Sequence, residues 1–230
     1  MSASPAPSRP QTVLVGCPPG EWHTFTPLLL SLLLRRRGLN VIYLGANVPS
    51  DRFAETAHKV KANLVILVAQ TLVSAASLQH AALAITSQDG QVAFGGRIFA
   101  KRPGIMEYVP GFYLGDSLEP SIQEVEKILR GKSTEREIKT ASQEYRVALH
   151  SFLSKRTHIE STLKERVQPL FISPEGLNTG IHFLGDNIAA ALQLGDTEHL
   201  NDEVEWLKVL VQTHDRPPEA PWGRNRSGGG

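Results

Sequence analysis

The chain has 230 residues, of which 41% are hydrophobic and 20% charged, a composition typical of a folded globular protein and not of a disordered or fibrous one. Its 24 basic and 23 acidic residues give a net charge of +1, which leaves no basic field for a nucleic-acid backbone, so direct nucleic-acid binding is not expected. Cys17, the single cysteine, excludes an intramolecular disulfide and a cysteine-based zinc box and fits a reducing compartment.

The first ten residues are polar and proline-rich, without the apolar core of a secretory signal, and predict a disordered lead-in. The longest apolar run, Pro27 to Leu34, contains Ser31 and is stopped by three arginines, far short of the ~20 residues that span a bilayer. We therefore expect a cytoplasmic protein without a membrane segment.

Residues 11–131 alternate short β-branched apolar runs with longer amphipathic ones, which is the pattern of β-α-β units. The apolar runs lack polar alternation, as in a parallel sheet buried on both faces, and predict strands over Thr12–Gly16, Val41–Gly45, Leu64–Val68, Val92–Phe94 and Phe112–Leu114. Helices are predicted over Pro27–Arg37 with Thr26 as N-cap, Ser50–Val60, Ser77–Ser87 and Ser117–Arg130. The fold expected is α/β, with a five-stranded doubly wound parallel sheet of the flavodoxin-like kind.

From residue 132 to residue 215 the apolar period changes to that of helices, which predicts a C-terminal all-α helical bundle domain. Residues 135–167 are predicted to form one long helix or two with a break, carrying Tyr145, Leu149 and Phe152 on one stripe. Two further segments have apolar residues at helical spacing, at Leu177, Ile181, Leu184 and Ile188, and at Leu200, Val204, Leu207 and Val211. Residues 216–230 are predicted to be a flexible tail.

The first β-to-α loop is the place to look for chemistry, because ligands of open parallel sheets bind at the carboxyl ends of the strands. It reads GCPPGEWHTFT over residues 16–26, which is not a GxGxxG turn, so a dinucleotide site is not expected. An imidazole can bind a metal through one ring nitrogen while a carboxylate holds the other nitrogen. Glu21 and His23 suit those two roles.

Four stretches of the chain, in order, resemble the vitamin B12 (cobalamin) binding domain: GEWHTFTPLLLSLLLRRRGLNVIYLGANVP, ANLVILVAQTLV, VAFGGRIF and YVPGFYLGDSLEPSIQEVEKIL. That family carries an Asp-x-His-x-x-Gly loop, a Ser-x-Leu segment and a Gly-Gly pair. In this sequence the loop becomes Glu21-x-His23-x-x-Thr26, and the pair is Gly95-Gly96. Val68 stands where the family serine falls, which leaves Thr71 or Ser74 to supply the hydroxyl.

The resemblance implies that His23 is the lower axial ligand of the cobalt and that the nucleotide tail of the cofactor threads between sheet and helix. A tail lying against backbone needs residues without bulk, which Gly95 and Gly96 provide. The cofactor-binding residues implied are Glu21, Trp22, His23, Thr24, Phe25, Thr71, Gly95, Gly96 and Gly115.

The loop phrase Pro-Pro-Gly-Glu-x-His is similar to that of light-sensing MerR-type repressors, and a helical domain placed after the cobalamin domain resembles the photocobilin photoreceptors. The resemblance implies a non-enzymatic photoreceptor that holds adenosylcobalamin, with a non-covalent bilin (biliverdin) as a second chromophore in the helical domain. Light would break the cobalt–carbon bond and change domain or subunit contacts. The partners implied are a light-dependent homo-oligomer and a fused or separate effector that receives the signal.

In the helical domain, residues of two kinds suit such a chromophore site. The cations available to bilin propionates are Arg146, Lys155, Arg156, Lys164 and Arg166, although the same residues suit a solvated helix face. Histidines that could approach the upper face of cobalt are His150, His158, His182 and His199. Trp206 fits either a chromophore or the bundle core, and the place of Cys17 in the cobalamin loop argues against a thioether bond to a bilin.

Two alternative functions stay open at this point. One is a corrinoid carrier subunit of a methyltransferase or mutase, although such carriers usually place a helical cap before the cobalamin domain. The other is a cobalamin-dependent antirepressor that binds a transcription factor. An independent catalytic centre is not expected, because no Ser/His/Asp, paired-carboxylate or P-loop arrangement has a suitable spacing.

Overall fold

The computed structural model describes residues 6–167 and 174–197. Their five strands form one all-parallel sheet in the order β2-β1-β3-β4-β5. The strands are β1 (Thr12–Gly16), β2 (Asn40–Gly45), β3 (Leu64–Val68), β4 (Val92–Gly95) and β5 (Phe112–Tyr113). The predicted α/β fold with a doubly wound parallel sheet is therefore confirmed.

The helices of the described residues flank this sheet and follow it. They are α1 (Phe25–Arg36), α2 (Ser50–Val60), α3 (Leu72–Thr86), α4 (Arg97–Lys101), a 3-10 helix (Pro103–Tyr108), α5 (Leu118–Leu129), α6 (Gln143–Val167) and α7 (Pro174–Gln193). α1 and α5 cover one face of the sheet, and α2 and α3 cover the other. Both faces bury a continuous apolar core, as the unbroken apolar strands require.

Two predicted helix starts were wrong, each for a local reason. α1 follows Thr24 and not Thr26, so that Pro27 lies within the first turn, where its missing N–H leaves no hydrogen bond unmade. α3 begins at Leu72 and not at Ser77. Thr71 and Ser74 each accept the other's backbone N–H at 3.1 Å, and this capping box starts the helix before the predicted position.

The first part of the helix predicted over residues 135–167 was also wrong, because α6 begins at Gln143. The preceding segment is tied to the α/β part instead. The backbone N–H of Lys139 donates to Glu107 O at 2.8 Å, its Nζ lies 2.6 Å from Glu107 Oε2, and Arg136 lies over the ring of Phe94, 5.6 Å from its centre. These tertiary contacts override the local helical preference.

α6 and α7 pack against each other, and α7 also packs on α3. Gln193 donates through Nε2 to Ala76 O and to Gln79 Oε1, both at 2.9 Å. Ala190, Ala191 and Leu194 share one apolar core with α3 and the sheet, so the helices after the sheet are continuous with its core.

Several predictions fall outside the described residues. They concern the amphipathic segment with Leu200, Val204, Leu207 and Val211, the side chains of His199 and Trp206, the tail over 216–230, and the first residues of the lead-in. The division at residue 131 stays a prediction. No helix in the ranges 6–167 and 174–197 is long and apolar enough to cross a membrane.

Candidate functional site

Two cavities lined by described residues lie at the carboxyl edge of the sheet. The α1–α5 cavity has a volume of about 310 Å³ and lies between the strand ends and α1 and α5, with Leu30, Val68 and Ser121 among its lining residues. The α3–α7 cavity, of about 450 Å³, lies between the start of α3, α4 and the middle of α7. Gln70 and Arg97 line both cavities, so the two spaces meet at the loops after β3 and β4.

Glu21 and His23 form a braced pair beside these loops. Glu21 is 1% exposed, and its Oε1 accepts the backbone N–H of His23 at 2.9 Å and lies 2.6 Å from His23 Nδ1. The side chain of His23 is 70% exposed. With the proton on Nδ1 held by the carboxylate, the lone pair of Nε2 is left available on the exposed side of the ring.

The other oxygen of Glu21 is held from a different part of the chain. Oε2 accepts the backbone N–H of Gln70 at 2.6 Å and the hydroxyl of Ser74 at 2.8 Å. Each carboxylate oxygen therefore has two donors, which fixes the position of the carboxylate and, through it, the plane of the imidazole.

The charge of Glu21 follows from a balance of two opposed effects. Burial raises the pKa of its carboxyl, but hydrogen bonds from the His23 backbone, Ser74, Gln70 and the His23 ring together lower it further. The net pKa lies below the ordinary value of 4.5. Glu21 is therefore ionised at neutral pH, and its negative charge strengthens its hydrogen bond to Nδ1.

The hydroxyl that the sequence left open between Thr71 and Ser74 is supplied to Glu21 by Ser74. Thr71 caps α3 and lines the α3–α7 cavity, whereas Val68, in the position of the family serine, lines the α1–α5 cavity. Sequence reasoning missed Gln70. Its contribution to Glu21 is a backbone N–H, and a backbone donor gives no residue-type signal in a sequence.

The three predicted glycines have different reasons to lack a side chain. Gly96 has a φ of 122°, and a Cβ there would collide with the carbonyl oxygen of Ala69, so this glycine serves the close approach of two loops. Gly95 and Gly115 line the α1–α5 cavity, and a Cβ on Gly115 would meet no atom within 4 Å. Gly96 lines the same cavity. All three glycines therefore border the space for a ligand, and Gly96 is also constrained by its contact with Ala69.

The aromatic residues of the loop face solvent. Trp22 is 67% and Phe25 76% exposed, next to the exposed imidazole. Thr24, between them, lies at the start of α1 and accepts the hydroxyl of Tyr43 on its backbone oxygen at 3.3 Å. Exposed aromatic side chains around an exposed imidazole form a surface suited to a flat apolar ligand with a metal at its centre.

The residues predicted for the helical part are only partly available. Arg156 is engaged by two carboxylates, with Nε 2.6 Å from Glu160 Oε1 and one terminal nitrogen 2.8 Å from Asp186 Oδ1. His182 lies 3.1 Å from Glu160 Oε2, and Arg146 donates to the side chain of Gln143. The other predicted residues that are exposed on α6 are His150, Lys155, His158 and Arg166. Lys164 is half-buried. His158 and Arg166 line one open cavity on α6, and Arg156 and His182 both contact Glu160, but the structure does not gather all of these residues into one site.

Comparison with known proteins identifies the α/β part. A family model described as B12 binding domain matches residues 11–117, which include all five strands, the Glu21–His23 loop and the Gly95-Gly96 pair. These residues, just under half of the chain, match the B12-binding domain family. The match supports the family-level prediction of cobalamin binding, and the finer comparison with light-sensing relatives stays a prediction.

Two solved structures are similar to the chain. One is a cobalamin-binding protein from Desulfitobacterium hafniense DCB-2, with a TM-score of 0.44, 15% identity, and coverage of 51% of this chain and 58% of that one. The other is a methanol:cobalamin methyltransferase complex from Methanosarcina barkeri, with a TM-score of 0.48, 20% identity, and coverage of 54% and 49%. The chain thus spans about half the length of each. A comparison with curated protein sequences finds no match.

Proposed function

We propose that this protein is a photoreceptor that binds adenosylcobalamin in its base-off form, with His23 as the lower axial ligand of cobalt. The main observation behind the proposal is the contact between Glu21 and His23. The buried carboxylate of Glu21 lies 2.6 Å from Nδ1 of the exposed His23 imidazole and fixes its orientation. A carboxylate on one ring nitrogen raises the basicity of the other nitrogen toward a metal.

The residues at the sheet edge fit this cofactor. Among the described residues, no group of three or more His, Cys, Asp or Glu side chains is arranged to hold a metal ion. A corrinoid needs no such group, because the corrin ring supplies the equatorial nitrogens and the protein adds one axial nitrogen. Trp22 and Phe25 supply apolar surface beside His23, and the α1–α5 cavity with Gly95 and Gly115 suits the nucleotide tail.

Adenosylcobalamin supplies a cobalt–carbon bond that visible light breaks. The chain's own part is to sense the change and to pass it on. Ser74 in the first turn of α3 holds Glu21, and Ala76 and Gln79 in the next turns accept hydrogen bonds from Gln193 of α7. A small shift of the Glu21–His23 pair therefore acts on a helix that is packed against α7, and packed interfaces respond by switching between discrete arrangements.

The proposal includes a bilin held without a covalent bond by the helices after the sheet. Cys17 supports the non-covalent form, because its side chain is fully buried and its pKa is raised to about 12 by burial and by the charge of Glu21. Incubation of purified protein with biliverdin tests this part. A bound bilin gives red absorbance that co-elutes with the protein in gel filtration. If all of the biliverdin elutes as free ligand at every concentration tested, the bilin part of the proposal is wrong.

The axial-ligand assignment is tested by His23→Ala, with His58→Ala as a matched control, since His58 is exposed on α2. We expect weaker adenosylcobalamin binding and loss of the base-off, histidine-on spectrum in the first variant only. Protein labelled with ¹⁵N-histidine provides a direct measurement. The nitrogen hyperfine splitting of the Co(II) form changes with the label if His23 is the ligand, and an unchanged splitting rules this ligand out.

A light-dependent change in the protein distinguishes a photoreceptor from the two alternative functions. Bleaching of the cofactor does not, because alkylcobalamins bleach in light whether they are bound or free. Size-exclusion chromatography before and after green light reports a change in subunit contacts, which we expect in the wild type and not in His23→Ala. No change, together with methyl transfer from bound methylcobalamin to a partner enzyme, favours the corrinoid carrier. Cobalamin-dependent capture of a transcription factor without a light effect favours the antirepressor.

A further inference from the structure

The α3–α7 cavity places a buried amide from the C-terminal helices opposite the cobalamin-binding loops. Asn187 of α7 is 3% exposed and lines this cavity. Its Nδ2 donates to Phe183 O in the previous turn at 2.9 Å, while its Oδ1 has no hydrogen-bond partner among the described residues. Because Asn187 Oδ1 is not itself fully enclosed, it is open to a donor from a ligand or from water in the cavity.

The opposite wall of the cavity supplies donors. Arg97 and Lys101 line it from α4, and neither forms an ion pair with a carboxylate of the described residues. Leu72 and Ile98 add apolar surface. The cavity thus offers hydrogen-bond donors on one side and an acceptor on the other, which is the complement of a carboxamide group.

The position of the cavity relates it to the corrinoid. Gly20, next to Glu21, lines it, and Gln70 lines it while donating its backbone N–H to Glu21. The family match ends at residue 117, so α7 lies outside the part of the chain that the B12-binding family covers. A volume of about 450 Å³ accommodates an edge of a large ligand and not the whole corrin ring.

We propose that Asn187 hydrogen-bonds a carboxamide side chain on the rim of the corrin ring, so that α7 contributes directly to corrinoid recognition. The inference rests on the cobalamin binding proposed above. It gives the C-terminal helices a contact with the cofactor, in addition to their packing on α3. Arg97 and Lys101 attract a carboxylate, whereas Asn187 Oδ1 accepts an N–H that a carboxamide carries and a carboxylate lacks. The contribution of Asn187 is therefore the part of the preference for the carboxamide that is lost when the Asn187 amide is removed.

The test pairs a change in the protein with a change in the ligand. Cobalamin and its separated monocarboxylic acid isomers, in each of which one carboxamide is replaced by a carboxylate, are titrated into wild-type protein and into Asn187→Leu. We expect Asn187→Leu to lower the ratio of cobalamin affinity to isomer affinity about 5- to 10-fold for one isomer and to leave this ratio unchanged for the others. Asn178→Leu, on the same helix and away from the cavity, keeps the wild-type ratio.

Other outcomes overturn the inference in distinct ways. Equal weakening of all isomers by Asn187→Leu assigns the residue to packing of α7, and unchanged affinities exclude it from the site. In both cases the ¹⁵N-histidine signal of the wild type shows that cobalamin binding through His23 stands. Failure of the proposed function is different, since the wild type then lacks that signal whatever residue occupies position 187.

Discussion

Ser74 donates its hydroxyl proton to Glu21 Oε2 across 2.8 Å, although 53 positions separate the two residues in the chain. The same hydroxyl lies 2.9 Å from Thr71 Oγ1 in the capping box of α3. One side chain thus joins the start of a helix to the carboxylate that orients His23. The distance between sheet edge and helix is set by the fold, and the orientation of the imidazole depends on it.

Replacing Ser74 by alanine should weaken cobalamin binding while the protein still folds. The change removes one of the two donors to Glu21 Oε2, and the loss of such an outer partner typically costs 10- to 100-fold in metal affinity. Isothermal titration with hydroxocobalamin measures the affinity.

Thr71→Ala is the matched control for this prediction. It removes the side-chain cap of α3 and costs about 1 kcal/mol in the free energy of unfolding, but it leaves the contact between Ser74 and Glu21 in place. Equal loss of cobalamin affinity in Ser74→Ala and Thr71→Ala would mean that the effect of Ser74 is not specific to its contact with Glu21, since Thr71 acts through the cap of α3 or through the α3–α7 cavity that it lines.

Gly96→Ala should destabilise the apoprotein more than Gly115→Ala does. Both glycines have a positive φ, of 122° and 85°, so a side chain strains the backbone at either position. At Gly96 the Cβ also meets the Ala69 carbonyl, whereas at Gly115 it meets open space. We expect a loss of more than about 3 kcal/mol at position 96 and about 1–2 kcal/mol at position 115, measured by urea unfolding. A larger loss at position 115 contradicts the packing described here.

The thiol of Cys17 should resist alkylation in the native protein. The side chain is fully buried, and its pKa of about 12 keeps it protonated near neutral pH, so little reactive thiolate is available. Mass spectrometry after iodoacetamide treatment at pH 8 should find no adduct on the folded protein and one adduct in guanidinium chloride. Rapid labelling of the folded protein would require an exposed or ionised thiol.

The ion pairs of Glu160, with Arg156 within α6 and with His182 of α7, should make the free energy of unfolding depend on pH in the acid range. The hydrogen bond from Arg156 lowers the pKa of Glu160 below the ordinary value of 4.5, and His182 lowers it further. Because the folded pKa lies below the unfolded one, the stabilisation is present above pH 4.5 and is lost as the pH falls through the folded pKa. Its size is at most about 1 kcal/mol, since the pair is partly exposed.

Glu160→Gln tests this dependence. The variant should be less stable than the wild type at pH 7, and the difference should shrink as the pH falls toward about 3, measured as the thermal unfolding midpoint. Glu144→Gln, an exposed carboxylate on the same helix, should follow the wild-type curve. A constant difference at all pH values would mean that the charge of Glu160 does not contribute.

The sequence by itself determined the three central strands, because a strand buried on both faces must be apolar along its whole length. β1, from Thr12 to Gly16, is an example. The edge strands β2 and β5 are only partly buried, but they also form short apolar runs, and all five strands lie within one residue of their predicted bounds. It also marked Glu21 and His23, since two residues of suitable chemistry in one loop are a local pattern. The family resemblance rested on this loop and on the Gly95-Gly96 pair for the same reason.

Only the tertiary structure decided what holds that pair and what lies beside it. The donors to Glu21 Oε2 come from Gln70 and Ser74, about fifty residues away, and one of them is a backbone N–H. The segment before α6 lost its predicted helix to contacts with Glu107 and Phe94. Asn187 joined the sheet edge because α7 packs on α3. Contacts of this kind depend on which distant surfaces the fold brings together, and no local pattern in the chain encodes them.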